Sequence, residues 1–263
     1  MDFIKIDTKL CNKDGICIET CPFLLFKKGD DGFPVILEYA ETHCIDCRHC
    51  VSVCPTGAIT IKGIRPEDCE PVCKTQAISE DAVEHLIKTR RSIRAYKSKP
   101  VSQEILNRLI NIMRWTPSAR NSQPVSWLVI QKKDIINKIG TMTAQWMRET
   151  ELLPQIADAY DQGVDMILRN APNLVIAHAH AEGFNPTADC TIAITDLELA
   201  AHAFGLGGCW AGFFMRAANS HKQLADLLDL PQDHKVYGAL MLGYPKFKYH
   251  RIPPRKPAEI RWL

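Results

Sequence analysis

Four cysteines at fixed spacing constrain this chain more than any other feature: Cys44, Cys47, Cys50 and Cys54, followed at once by Pro55. The pattern C-x2-C-x2-C-x3-C-P is the run in which three thiolates hold one iron-sulfur cubane and the fourth reaches across to a second. Zinc sites more often use two separated C-x2-C pairs or add histidines. Eleven cysteines are present, nine of them in the first 73 residues. The start, Met1-Asp2-Phe3-Ile4-Lys5-Ile6-Asp7, has acids where an export signal needs a basic segment, which predicts a cytoplasmic setting. In a reducing compartment, clustered thiols imply metal before disulfides.

A crossing ligand requires a second copy of the run. Cys11, Asp14, Cys17 and Cys21-Pro22 repeat the spacing 33 residues earlier, with Asp14 where the second cysteine would stand. The crossing rule then assigns Cys11, Asp14, Cys17 and Cys54 to one cluster, and Cys44, Cys47, Cys50 and Cys21 to a [4Fe-4S] cluster. Asp14 leaves alternatives open. It ligates the fourth iron through a carboxylate oxygen, a harder ligand that makes that iron more labile; or the corner is empty, giving [3Fe-4S]; or water or hydroxide fills it. A plainer reading makes Asp14-Gly15 a turn former.

Residues 3 to about 62 resemble a bacterial two-cluster ferredoxin, with Gly57-Ala58-Ile59 closing the second motif. The resemblance implies two short strand pairs and two short helices, with the clusters serving as core for a segment too small to build one otherwise. Cys69 and Cys73 lack C-x-x-C spacing and read as packed or idle thiols. Cys190 and Cys209 lie in apolar stretches and read as core.

From Ser79 the pattern changes to amphipathic periods. Ser79 or Glu80 starts one helix and Ser102 caps another. Ser126 to Gln131, Asn173 to Ala179 and Val236 to Leu242 read as buried strands, and Asp189 to Phe204 as a helix apolar on nearly every side, ended by Gly205. The class is α+β. No run of 18 uncharged apolar residues exists, so no membrane span is expected. A formal charge of +2 without a basic block argues against nucleic acid.

Four segments taken in order carry a second resemblance: Arg90-Arg91-Ser92-Ile93-Arg94, Pro117-Ser118-Ala119-Arg120-Asn121-Ser122-Gln123-Pro124, Gly205 to Phe213, and Leu242-Gly243-Tyr244-Pro245 with a trailing Arg255-Lys256. The Gly205 run follows a helix, which argues against a dinucleotide fingerprint. Together these segments resemble the nitroreductase family of FMN enzymes. The resemblance implies an α+β sandwich that dimerises through long helices, with FMN bound by both subunits. It places Arg90, Arg91, Ser92 and Arg94, and Arg255 or Lys256, at the flavin phosphate. Pro117, Ser118, Ala119 and Asn121 match the loop along the ring, from the partner chain, and Cys209, Trp210, Ala211 and Gly212 the segment at its reactive face. Ala211 stands where many relatives have a glutamate, so the proton donor is unnamed.

The expected organisation is therefore a two-cluster domain over 1–62, a connection over 63–79 and an FMN-binding domain over 80–263. The expected function is an oxidoreductase that passes electrons between a donor (a reduced ferredoxin or NAD(P)H), the clusters and FMN. It would reduce a small electron-poor acceptor such as a nitroaromatic, quinone, enone or flavin. The alternative is an electron-transfer protein serving a partner redox enzyme. Residues 1–62 carry net −2 and the remainder +4, which suits an acidic electron-entry half and a basic phosphate-binding half.

Overall fold

The structure is a computed structural model and describes residues 3–263; Met1 and Asp2, which open the expected first domain, lie outside the described residues. Two units meet in sequence between Ala77 and Ile78, so most of the segment read as a connection belongs with the first unit.

In the first unit the elements run β1 (Ile4–Ile6), α1 (Ile16–Thr20), β2 (Phe26–Lys28), β3 (Pro34–Ile36), α2 (Ala40–His43), α3 (His49–Val53) and β4 (Ile59–Ile61). β1 pairs antiparallel with β4 and β2 with β3. α1 and α3 are 33 residues apart, as are β2 and β4, so the spacing repeat is also a repeat of backbone. Lys13 and Gly15 have φ of 64° and 77°, and their counterparts Asp46 and Arg48 have 53° and 59°. Both cysteine loops thus turn through the same left-handed positions, and Asp14 takes the place of Cys47. α2 is a third short helix beyond the two expected. The core is small: Ile4, Leu25, Phe26, Val51, Ile59 and Ile61 pack with the thiols of Cys17 and Cys50.

The second unit runs α4 (Glu80–Thr89), α5 (Gln103–Ile112), β5 (Ser126–Ile130), α6 (Lys133–Glu149), α7 (Pro154–Asp161), β6 (Asn173–His180), α8 (Pro186–Ala203), β7 (Gly207–Trp210), α9 (Gly212–Ala218), α10 (Lys222–Leu228) and β8 (His234–Gly243). Ser79 and Ser102 cap α4 and α5 by accepting the N–H of Ala82 and of Ile105. The sheet order is β5-β6-β8-β7, antiparallel throughout. Helices cover both faces. Leu174, Ile176, Ala239 and Met241 pack with residues of α6, α9 and α10, whereas Val175, Ala177, Leu240 and Leu242 pack with residues of α5 and α8. Burial on both faces explains why these strands read as apolar runs rather than alternations. α8 buries one face through Cys190, Ala193, Ile194, Leu197 and Ala201, while Thr191, Ile192 and Thr195 stay exposed. Gly205 follows it at φ 71°. Among the described residues no helix is long and apolar enough to cross a membrane.

Candidate functional site

Two cavities in the first unit collect the cysteines. Cys21, Cys44, Cys47 and Cys50 line one, and Cys11, Asp14, Cys17 and Cys54 line the other; counted out into solvent, the two span about 350 and about 310 Å³. Each set crosses between the sequence repeats. Among the described residues no three such side chains converge as a single metal ion would need; the sulfurs surround spaces instead. Backbone N–H groups point at the sulfurs: Leu25 to Cys21 (3.5 Å), Asp46 to Cys44 (3.4 Å) and Ala58 to Cys54 (3.3 Å). Such bonds tune cluster potential. Burial pushes the Cys50 thiol up to about 12 and raises Cys17 and Cys44, so metal binding there must release protons. Asp14 Oδ1 accepts the N–H of Ile16 at 3.2 Å, which leaves Oδ2 as the oxygen not used by the turn.

A third, open cavity, about 800 Å³ counted out into solvent, lies in the second unit between β7, α9 and the loop before β6. Arg94, Cys209, Trp210 and Gly212 line it, together with Arg169, Arg216, Met166, Ile167, Phe213 and Met241. The local chain explains how Arg94 reaches it. Ile93 N–H donates to Gly208 O at 2.8 Å, Tyr96 Oη donates to Ile93 O at 2.7 Å, and Lys97 N–H donates to Tyr244 O at 2.8 Å. The basic segment is thus held between β7 and the end of β8. Gly207 permits this: a Cβ there would lie 2.2 Å from Ile93 Cγ1 and 3.1 Å from Pro245 Cγ. Gly207→Ala is expected to cost about 1–3 kcal/mol by overpacking and to displace the Arg90–Arg94 segment. Thermal melting and ligand retention in that variant check both parts.

Arg90 does not line this cavity. Its guanidinium donates to Glu198 Oε1 at 3.0 Å, where burial raises the Glu198 carboxyl and Arg90 opposes the rise. Arg91 lies over the Tyr249 ring, with its guanidinium carbon 5.8 Å from the centroid. Arg255 and Lys256 are exposed on an arm without regular structure. Ser118 lines a separate cavity with Arg114, Gln123 and Trp127, and Ala119 N–H donates to the buried Asp189 at 2.8 Å. One chain therefore does not bring the Pro117–Asn121 loop to the Arg94 cavity. Cys209 is on that cavity's wall rather than only in the core; burial pushes its thiol up, against the guanidinium groups of Arg94, Arg169 and Arg90. Cys190 is core, as expected. Cys73 is exposed rather than packed, and hydrogen bonds from Thr75 lower its thiol.

Arg169 and Arg216 went unread in the sequence. Arg169 sits at φ 58° in a loop that Asp165 pins by accepting the N–H groups of Ile167, Leu168 and Asn170 at 3.0, 2.8 and 2.7 Å. Arg216 had a legible signal, since it stands four residues after Gly212 and shares its face of α9.

A module with two cysteine-lined cavities thus precedes an antiparallel α+β sandwich with a basic cavity. The model of the nitroreductase family matches residues 87–244, and that of the 4Fe-4S dicluster domain matches residues 10–59. The chain belongs to the nitroreductase family and carries a 4Fe-4S dicluster domain ahead of it. An Archaeoglobus fulgidus protein provisionally named NADH dehydrogenase/NAD(P)H nitroreductase is 29% identical over 161 residues, 61% of this chain and 84% of its own. The FMN reductase [NAD(P)H] of Bacillus subtilis is 27% identical, covering 64% of this chain and 68% of its own. A Bacteroides fragilis nitroreductase crystallised with FMN superposes with a TM-score of 0.60 at 22% identity, covering 71% of this chain and all of the other. At that identity the likeness carries the fold.

Proposed function

We propose that this chain is an iron-sulfur flavoprotein that reduces small electron-poor acceptors, with two clusters and FMN in one polypeptide. The observation that carries the reading is the pair of four-ligand cavities in the same chain as a cavity lined by Arg94, Cys209, Trp210 and Gly212. The residues present fit the groups. Thiols and one carboxylate line the two cysteine cavities, and the cavity that Arg94 enters also has an apolar wall. When bound, clusters exchange single electrons, and flavin accepts them singly and delivers them in pairs.

The chain's own residues then divide the work. Cys21, Cys44, Cys47 and Cys50 hold one cluster, and Cys11, Cys17, Cys54 and Asp14, through its second oxygen or an open corner, hold the other. Arg94 and Ser92 bind the flavin phosphate with Arg255 or Lys256 from the arm, while Arg90, paired with Glu198, braces the segment that carries Ser92 and Arg94. A second copy supplies Pro117, Ser118, Ala119 and Asn121 along the ring, and Asp189 fixes that loop through Ala119. Ile192, Ile112 and Trp115, exposed on and near α8 and α5, are the apolar surface that such a dimer covers. The names of relatives favour NAD(P)H as donor.

Anaerobic stopped-flow tests the reading. Protein reduced by NADPH, or by a low-potential one-electron donor, is expected to be reoxidised within seconds by a nitroaromatic or quinone. If no small acceptor reoxidises it, the enzyme reading fails in favour of an electron carrier for a partner. Flavin bleaching by NADPH ahead of the clusters would identify the nicotinamide as the donor.

A further inference from the structure

The cavity of the second unit holds more positive charge than a flavin requires. Arg94, Arg169 and Arg216 all line it, and none forms an ion pair among the described residues. The nearby carboxylates are committed elsewhere: Glu198 to Arg90 at 3.0 Å, and Asp165 to the backbone of its own loop. A phosphate monoester brings close to two negative charges at neutral pH. On the reading above, Arg94 and the C-terminal arm answer it. Two guanidinium groups remain unanswered, Arg169 half-buried and Arg216 open to solvent, so both can meet an incoming anion. The rest of the wall, Met166, Phe213 and Met241, is apolar.

We infer that Arg169 and Arg216 form a subsite for an anionic oxygen group, carboxylate or phosphate, carried by a planar apolar reactant lying beside Cys209 and Gly212. The inference rests on the flavoprotein reading for the position of the reactant. Two sources share the chemistry: a carboxylate on the acceptor, and the phosphates of a pyridine nucleotide.

The test titrates the full chain, with its cofactors, with benzoate and with its neutral isostere benzamide. Binding is followed by flavin absorbance and by tryptophan fluorescence, to which Trp210 on the cavity wall contributes and which needs no flavin. Benzoate is expected to bind about tenfold more tightly than benzamide, with an affinity that falls as salt rises. Arg216→Gln and Arg169→Gln should each bring benzoate down to the benzamide level, and Arg216→Gln should retain full flavin content. If the variants weaken NADPH and leave benzoate unchanged, the subsite stands and the nucleotide phosphate is its ligand. If neither variant moves either affinity, the subsite is overturned. A protein that binds no flavin yet keeps the benzoate preference in fluorescence would overturn the flavoprotein reading and leave the subsite intact.

Discussion

Replacing Cys54 with serine is expected to remove the cluster associated with Asp14 and to spare its neighbour, although Cys54 follows Cys50 by only four residues. Cys54 lines the cavity of Cys11, Asp14 and Cys17, and not that of Cys44, Cys47 and Cys50. Burial alone would raise its thiol, but hydrogen bonds from Thr56, Ala58 and Gly57 bring it below the ordinary value, which favours the thiolate that iron needs. A serine oxygen is harder and keeps its proton, so iron should be lost there: about half of the chain's iron, whether that cluster holds three atoms or four. EPR of the anaerobically reduced variant should keep the signal of the all-cysteine cluster. If that signal disappears and the other survives, the crossing is wrong. Asp14→Cys is the complement, expected to make the same cluster retain its fourth iron on exposure to air. Because Cys17 belongs to the small core of the first unit, Cys54→Ser should also lower that unit's melting temperature more than a surface change would.

Local regularities were legible in the sequence. The 33-residue offset between Cys11 and Cys44 returned as matched helices, strands and left-handed residues, because cluster spacing dictates how the backbone must turn. Ser79, Ser102 and Gly205 marked helix ends through capping chemistry that acts within a few residues. What could not be read depends on long separations. The order β5-β6-β8-β7 follows from packing helices on both faces, and an apolar run such as Leu174 to Ala177 says only that both faces are covered. Glu198 gave no signal in the sequence, because its partner Arg90 lies 108 residues away. Arg169 is brought to the cavity by a loop held by Asp165 hydrogen bonds, a conformation that leaves no periodic trace. Cys209 and Cys190 looked alike in sequence, yet only the first reaches a cavity wall.

That pairing of Arg90 with Glu198 yields a sharp expectation, because it separates structural from ligand-binding roles within one basic segment. Glu198 is 7% exposed and Arg90 29%, so Arg90→Ala leaves a buried carboxylate without its counter-charge. The cost is expected to be about 1–3 kcal/mol, below that of a fully buried pair since Arg90 keeps some solvent. The pH dependence has a definite sign. Burial holds the folded-state value of Glu198 above its unfolded value, and Arg90 limits the rise. A carboxyl raised in the folded state weakens stability as pH climbs from the unfolded value through the folded one, and losing Arg90 moves the folded value higher still. Flavin-free Arg90→Ala should therefore melt near the wild type at about pH 4 and well below it at about pH 7, and Arg90→Ala with Glu198→Gln should recover much of the loss. Arg94 has no ion-pair partner among the described residues, so Arg94→Ala should leave melting unchanged and reduce flavin affinity by about tenfold or more, the loss of one charge-assisted contact. Should Arg90→Ala melt like the wild type at both pH values and lose only flavin, Arg90 would be a free phosphate ligand and the buried pair would have no structural role.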